Sequence, residues 1–135
     1  MKILKLISNP YLLIASFLLL LISGESVGGF YITYIVLALP HGGLHGLLAV
    51  AGIIIIIFNY HTKTTFFLSF CLSTIGIILL ICSLYFFFAT DPSHYNAGTF
   101  EQALPLMTFG IFGFLILCSM LESFIKLTGS GEVRG

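Results

Sequence analysis

Pro10 to Leu39 reads PYLLIASFLLLLISGESVGGFYITYIVLAL, and the way this run divides decides how often the chain crosses a bilayer. As one helix of about 30 residues it extends ~45 Å, exceeds the ~30 Å hydrocarbon core and must tilt or project. As two helices broken at Ser23-Gly24-Glu25-Ser26, each half falls short of the ~20 residues a span requires. A signal peptide competes for the first 26 residues, with Met1 to Lys5 as its charged region and Tyr11 to Ile22 as its apolar one. Its cleavage site would be poor, because Ile22 or Gly24 would stand three residues before the cut.

Charge placement favours the single helix. If the N-terminus is cytoplasmic and the run crosses once, Lys2, Lys5, Lys63, Lys126 and Arg134 all fall on the cytoplasmic side. The two external connections, PHGGLHG and TDPSHYNAGTFEQ, hold no Lys or Arg. That distribution satisfies the positive-inside rule, whereas a fifth span scatters the same residues over both faces.

Outside this run the chain is just as apolar. Of its 135 residues 59% are hydrophobic and 7% charged, with a mean hydropathy of +1.15. A soluble surface needs about 25% charged residues, so lipid is the expected solvent. Every backbone amide in lipid must be paired, which makes the long apolar runs helices. The expected fold is all-α: a four-helix transmembrane bundle, N-in and C-in, with spans near 10–39, 43–60, 65–90 and 101–127. Residues 1–128 form one domain, and residues 129–135 a flexible polar tail. The expected location is a multi-pass position in a membrane, taken as a bacterial inner membrane.

Local signals mark the helix ends. Thr99 and Gln102 have the spacing of a capping box before the fourth run, with Pro105 either bending that helix or opening it. Asp91-Pro92 ends the third. Glu122 and Lys126 are four apart, in the order that suits an ion pair. Small residues predict where helices approach one another: Gly24 and Gly28, Gly42 and Gly46, then Ser69, Ser73, Gly76 and Ser83 on one stripe, and Gly110 with Gly113. The run Ile53–Ile57 has no small residue and is expected to meet lipid or a partner. Tyr31, Tyr34, Tyr85 and Tyr95 form an expected aromatic belt at the external boundary, Tyr11 and Tyr60 one at the internal boundary.

Few residues carry chemistry. Glu25 falls near the middle of the first span, where a charged carboxylate costs several kcal/mol unless paired, protonated or wet. It is a candidate proton or cation site, or a polar anchor for a partner; a split first segment would instead let it reach headgroups. His41 and His45, four apart, share a face if their segment is helical. In the four-span topology His94 and Asp91 join them on the external side. Such a set suits a transition metal, and histidines from two segments suit haem. Against this, H-x-x-x-H without an intervening Glu is a weak motif, and interfacial histidine is ordinary.

Other classes find no support. No basic patch fits a nucleic-acid footprint, no Ser–His–Asp arrangement is legible, and GESVGG lacks the lysine and strand of a phosphate loop. Cys71, Cys82 and Cys118 lie in apolar runs and read as small hydrophobes. The expected role is a small accessory or scaffolding subunit of a larger membrane complex, with lipid and other membrane subunits or further copies of itself as partners. The alternatives are a metal- or haem-binding redox subunit using the external histidines, and a small proton or ion transporter built around Glu25.

Overall fold

The computed structural model describes residues 2–23, 28–90 and 95–129. The described chain runs α1 (Lys2–Ile7), α2 (Pro10–Leu18), β1 (Leu21–Ser23), β2 (Gly28–Phe30), α3 (Tyr31–Ala38), a 3-10 turn (Leu39–His41), α4 (Leu44–His61), α5 (Phe66–Ala89), a 3-10 segment (Tyr95–Glu101) and α6 (Ala103–Gly129). The fold is all-α with one small hairpin. Three helices, α4, α5 and α6, are long and apolar enough to cross a membrane, which marks the chain as a membrane protein.

The stretch 10–39 is not one helix, and the single long first span is corrected. Asn9 caps α2 by accepting the Tyr11 N–H at 3.0 Å, with Pro10 as the first helical residue, where its missing N–H costs nothing. The helix stops at Leu18, and Leu21, Ile22 and Ser23 pair antiparallel with Phe30, Gly29 and Gly28. The Tyr31 N–H donates to the Leu20 carbonyl at 2.8 Å and extends the ladder by one bond.

Non-helical backbone survives in a membrane protein only where protein satisfies it, and here two threonines help to do so. Thr108 of α6 accepts the Leu21 N–H at 3.2 Å. Thr99 takes the Ser23 N–H and donates to the Ser23 carbonyl, both at 3.0 Å. The Ser23 hydroxyl donates to Gln102 Oε1 at 2.7 Å. Thr99 and Gln102 therefore clamp the hairpin instead of forming the expected capping box. Pro105 stands third in α6, inside the first turn, where the helix needs no N–H from it.

This interrupted segment is the centre of the molecule. Leu13, Ile14, Phe17, Leu20, Ile22, Tyr31 and Ile35 make up seven of the fifteen buried hydrophobic residues described. The most apolar part of α6, by contrast, has only 17% of its residues buried. The broken segment is thus shielded by the long helices, which keep their own outer faces apolar. Phe17 packs edge-on against Tyr31 with centroids 5.2 Å apart and meets Phe112 of α6 at 5.5 Å. Tyr31, expected in an interfacial belt, is fully buried.

α4 and α5 lie antiparallel, joined by Thr62–Thr65, and Thr65 caps α5 by accepting the Leu68 N–H. They touch through Gly52 and Gly76: a Cβ at Gly52 would come within 2.9 Å of the Gly76 carbonyl oxygen. Gly46 admits α3 in the same way, with Ala38 Cβ 3.1 Å from where its own Cβ would be. Gly42 has a different use. Its φ of +66° places it in the left-handed region, where it turns the chain between the 3-10 turn and α4. Gly28 is a strand residue, and Gly24 lies outside the described residues. A Cβ at Gly110 or Gly113 of α6 would meet nothing within 4 Å among the described residues.

Candidate functional site

At one end of the bundle the α1–α2 junction, the α4–α5 connection and the last third of α6 enclose a cavity of about 380 Å³. Its polar lining comes from far-separated parts of the chain: Lys5, Asn59, Lys63, Ser73, Glu122 and Lys126. Its buried lining residues Leu13, Ile56 and Ile77 are apolar. The cavity thus grades from a cationic mouth to a greasy floor.

Glu122 organises the mouth. Its Oε1 accepts from Lys126 Nζ at 2.9 Å, the ion pair expected from their spacing. Its Oε2 lies against the Ser8 hydroxyl, which is also 2.7 Å from the Leu4 carbonyl. The one hydroxyl proton serves either the carboxylate or the carbonyl. Because Glu122 is only 17% exposed, this pair is better shielded from water than an ordinary surface pair. Among the described residues no carboxylate lies within ion-pair distance of Lys5 or Lys63, so within that set the two lysines bring positive charge to the mouth that Glu122 does not offset.

Beneath them Asn59 donates from Nδ2 to the Ser69 carbonyl at 3.1 Å and to Ser73 Oγ at 2.8 Å. These two bonds fix the amide's orientation and leave its buried Oδ1 without a donor, an expensive condition for a buried acceptor. Ser69 and Ser73, read in the sequence as packing residues, therefore also serve as hydrogen-bond partners. Tyr11 and Tyr60 lie together at this end, 5.5 Å apart, and the Tyr11 hydroxyl meets His61 Nε2 at 2.7 Å.

No family model, curated protein or solved structure matches the chain.

The histidines are arranged differently from the sequence expectation. His41 ends the 3-10 turn and His45 is the second residue of α4, with the left-handed Gly42 between them, so they do not share a helix face. His41 is exposed, and its Nδ1–H donates to the Leu37 carbonyl at 3.0 Å. His45 is partly buried, with its ring against Phe87 at 5.3 Å. His94 and Asp91, the other proposed metal ligands, lie outside the described residues. Among the described residues no three His, Cys, Asp or Glu side chains come together. Glu25 also lies outside them, and the continuous helix that was to hold it at mid-span does not form.

One further polar chain is wholly internal. Ser83 donates to the His45 carbonyl at 2.7 Å, and the Tyr31 hydroxyl is 2.8 Å from Ser83 Oγ. Ser83 has a single proton, so Tyr31 is the donor to it. This chain joins α3, α4 and α5 and leaves no atom free for chemistry. The sequence reading missed Ser8, Asn59 and Glu122 as cavity residues. Only Glu122 left a trace, in its spacing from Lys126; the other two are brought in by partners 10 to 114 positions away.

Proposed function

We propose that the chain is a small multi-pass membrane subunit that receives a transmembrane helix of another polypeptide along α6. The observation that carries this is a stripe on the outer face of α6: Met107, Gly110, Phe114, Leu117, Leu121 and Phe124, all exposed. They alternate at three and four residues, the spacing at which one helix meets another along its length. A helix that merely faced lipid would gain nothing from glycine. In lipid, small residues are what let backbones approach, and Gly52 and Gly76 already perform that task between α4 and α5. Gly110, with Gly113 beside it, offers the same opening outward.

The membrane topology that accompanies this reading has four crossings, with both ends on the lysine-bearing side. Lys5, Lys63 and Lys126 sharing one cavity supports it. So does the reach of the first segment: the nine residues of α2 rise ~14 Å and the three of β1 extend ~10 Å, which with the two residues between them covers most of the ~30 Å hydrocarbon core.

Solubilising the chain from its own membrane in mild detergent tests the reading. The expected result is an assembly larger than the 14.8 kDa chain, from which Gly110→Leu with Gly113→Leu releases the partner, weakening association about tenfold or more while helicity and unfolding temperature hold. A monodisperse monomer with no second polypeptide, before and after substitution, contradicts it.

A further inference from the structure

We propose that the cavity bounded by Lys5, Lys63 and Lys126 is a binding site for a phosphate group, carried by an anionic lipid whose first methylenes enter the apolar floor. The inference is independent of the α6 reading, since it concerns the interior end of the bundle and not its outer face.

Three observations combine. The first is charge. The cavity collects three ammonium groups from three separate segments and one carboxylate, Glu122. Lys126 neutralises that carboxylate, and among the described residues no other carboxylate meets Lys5 or Lys63. At a membrane surface such charges attract anionic headgroups. The positive-inside rule accounts for lysines on one side of a membrane, but not for their convergence on one cavity.

The second is size. About 380 Å³ falls within the range of small-molecule pockets and holds a phosphate ester with room to spare. The third is polarity along the depth of the cavity. Of the lining residues, the lysines are exposed, the hydroxyl-bearing Ser69, Ser119 and Ser123 half-buried, and Leu13, Ile56 and Ile77 buried. A free inorganic anion uses only the upper part. An amphiphile with an anionic head uses both, burying apolar surface while its phosphate remains with the lysines.

The experiment reconstitutes the full chain in phosphatidylcholine nanodiscs and titrates phosphatidylglycerol, following bound lipid by native mass spectrometry. Parallel calorimetric titrations use glycerol phosphate and inorganic phosphate. The expected result is selective retention of phosphatidylglycerol over phosphatidylcholine, with weaker or no binding of the two soluble anions. Lys5→Gln with Lys63→Gln reduces that retention about tenfold or more; both side chains are exposed, so folding is preserved. Ser123→Phe, which fills the cavity and leaves every charge in place, also releases the lipid. Soluble phosphate binding as tightly as the lipid would overturn the lipid assignment. Lipid retention unchanged by Ser123→Phe would show that the surface field alone holds it and would overturn the site. Equal retention of both lipids would do the same.

Discussion

Gly52→Ala should destabilise the bundle by about 2 kcal/mol, although alanine is the better helix former by about 1 kcal/mol. The new Cβ would be 2.9 Å from both the Gly76 carbonyl oxygen and Leu80 Cδ2, and 3.2 Å from Leu79 Cβ. The side-chain tip of Leu80 can rotate aside, but the Gly76 backbone cannot, so α4 and α5 must part. Parting them loosens the packing of Ile56, Ile77 and Leu80, three buried residues along the same seam. A valine in place of the alanine should cost more, since its two extra methyl groups meet the same wall. Gly110→Ala is the control: its Cβ meets nothing within 4 Å, so stability is unchanged or slightly raised. Reversible unfolding in mixed micelles reads the difference. Equal responses at the two glycines would mean that α4 and α5 do not touch as described.

The other large effect belongs to Tyr31. Tyr31→Ala removes a fully buried ring that packs against Phe17 and Phe87, each with centroids 5.2 Å away. Deleting a buried aromatic leaves a cavity that the surroundings fill only in part, at about 3 to 5 kcal/mol. Tyr31→Phe keeps the ring and loses one hydrogen bond; Ser83 still donates to the His45 carbonyl, so the cost is about 1 kcal/mol. Ser83→Ala is the harsher of the two polar changes, because it strands the Tyr31 hydroxyl without an acceptor in a dry interior. The predicted order of stability is wild type, Tyr31→Phe, Ser83→Ala, Tyr31→Ala, read by unfolding in the same micelles. If Tyr31→Ala were as mild as Tyr31→Phe, the hairpin segment would not be the packed centre of the fold.

That segment also shows where sequence reasoning reached its limit. Hydrophobicity and length located the three long helices to within a few residues: 43–60 against Leu44–His61, 65–90 against Phe66–Ala89, and 101–127 against Ala103–Gly129. A continuous apolar run gives no period that separates helix from strand, and Leu19 to Ile22 is such a run. What stops α2 at Leu18 and favours the extended form is the pair Thr99 and Thr108, more than 70 positions away, which satisfy backbone groups that a helix would have satisfied internally. The same non-locality hid the cavity. Glu122 and Lys126 are legible as neighbours on one helix, but Ser8 reaches Glu122, and Lys5 and Lys63 reach the same opening, only because the segments fold back on one another. Glycine spacing, for its part, was informative about close approach at Gly46 and Gly76, yet could not tell an inward position from the outward Gly110, because spacing carries no direction.

In the topology we propose, the interrupted first segment crosses the membrane, bringing Lys5 and Lys63 to one side and leaving the hairpin clamp on the other. Single cysteines at positions 5, 41, 63 and 98, in a chain whose Cys71, Cys82 and Cys118 are replaced by alanine, report sidedness directly in right-side-out and inside-out vesicles exposed to a membrane-impermeant maleimide. Positions 5 and 63 should then react only in inside-out vesicles, and positions 41 and 98 only in right-side-out ones. Position 5 reacting on the same side as position 41 would mean that residues 10–23 dip in and return without crossing, and would contradict it.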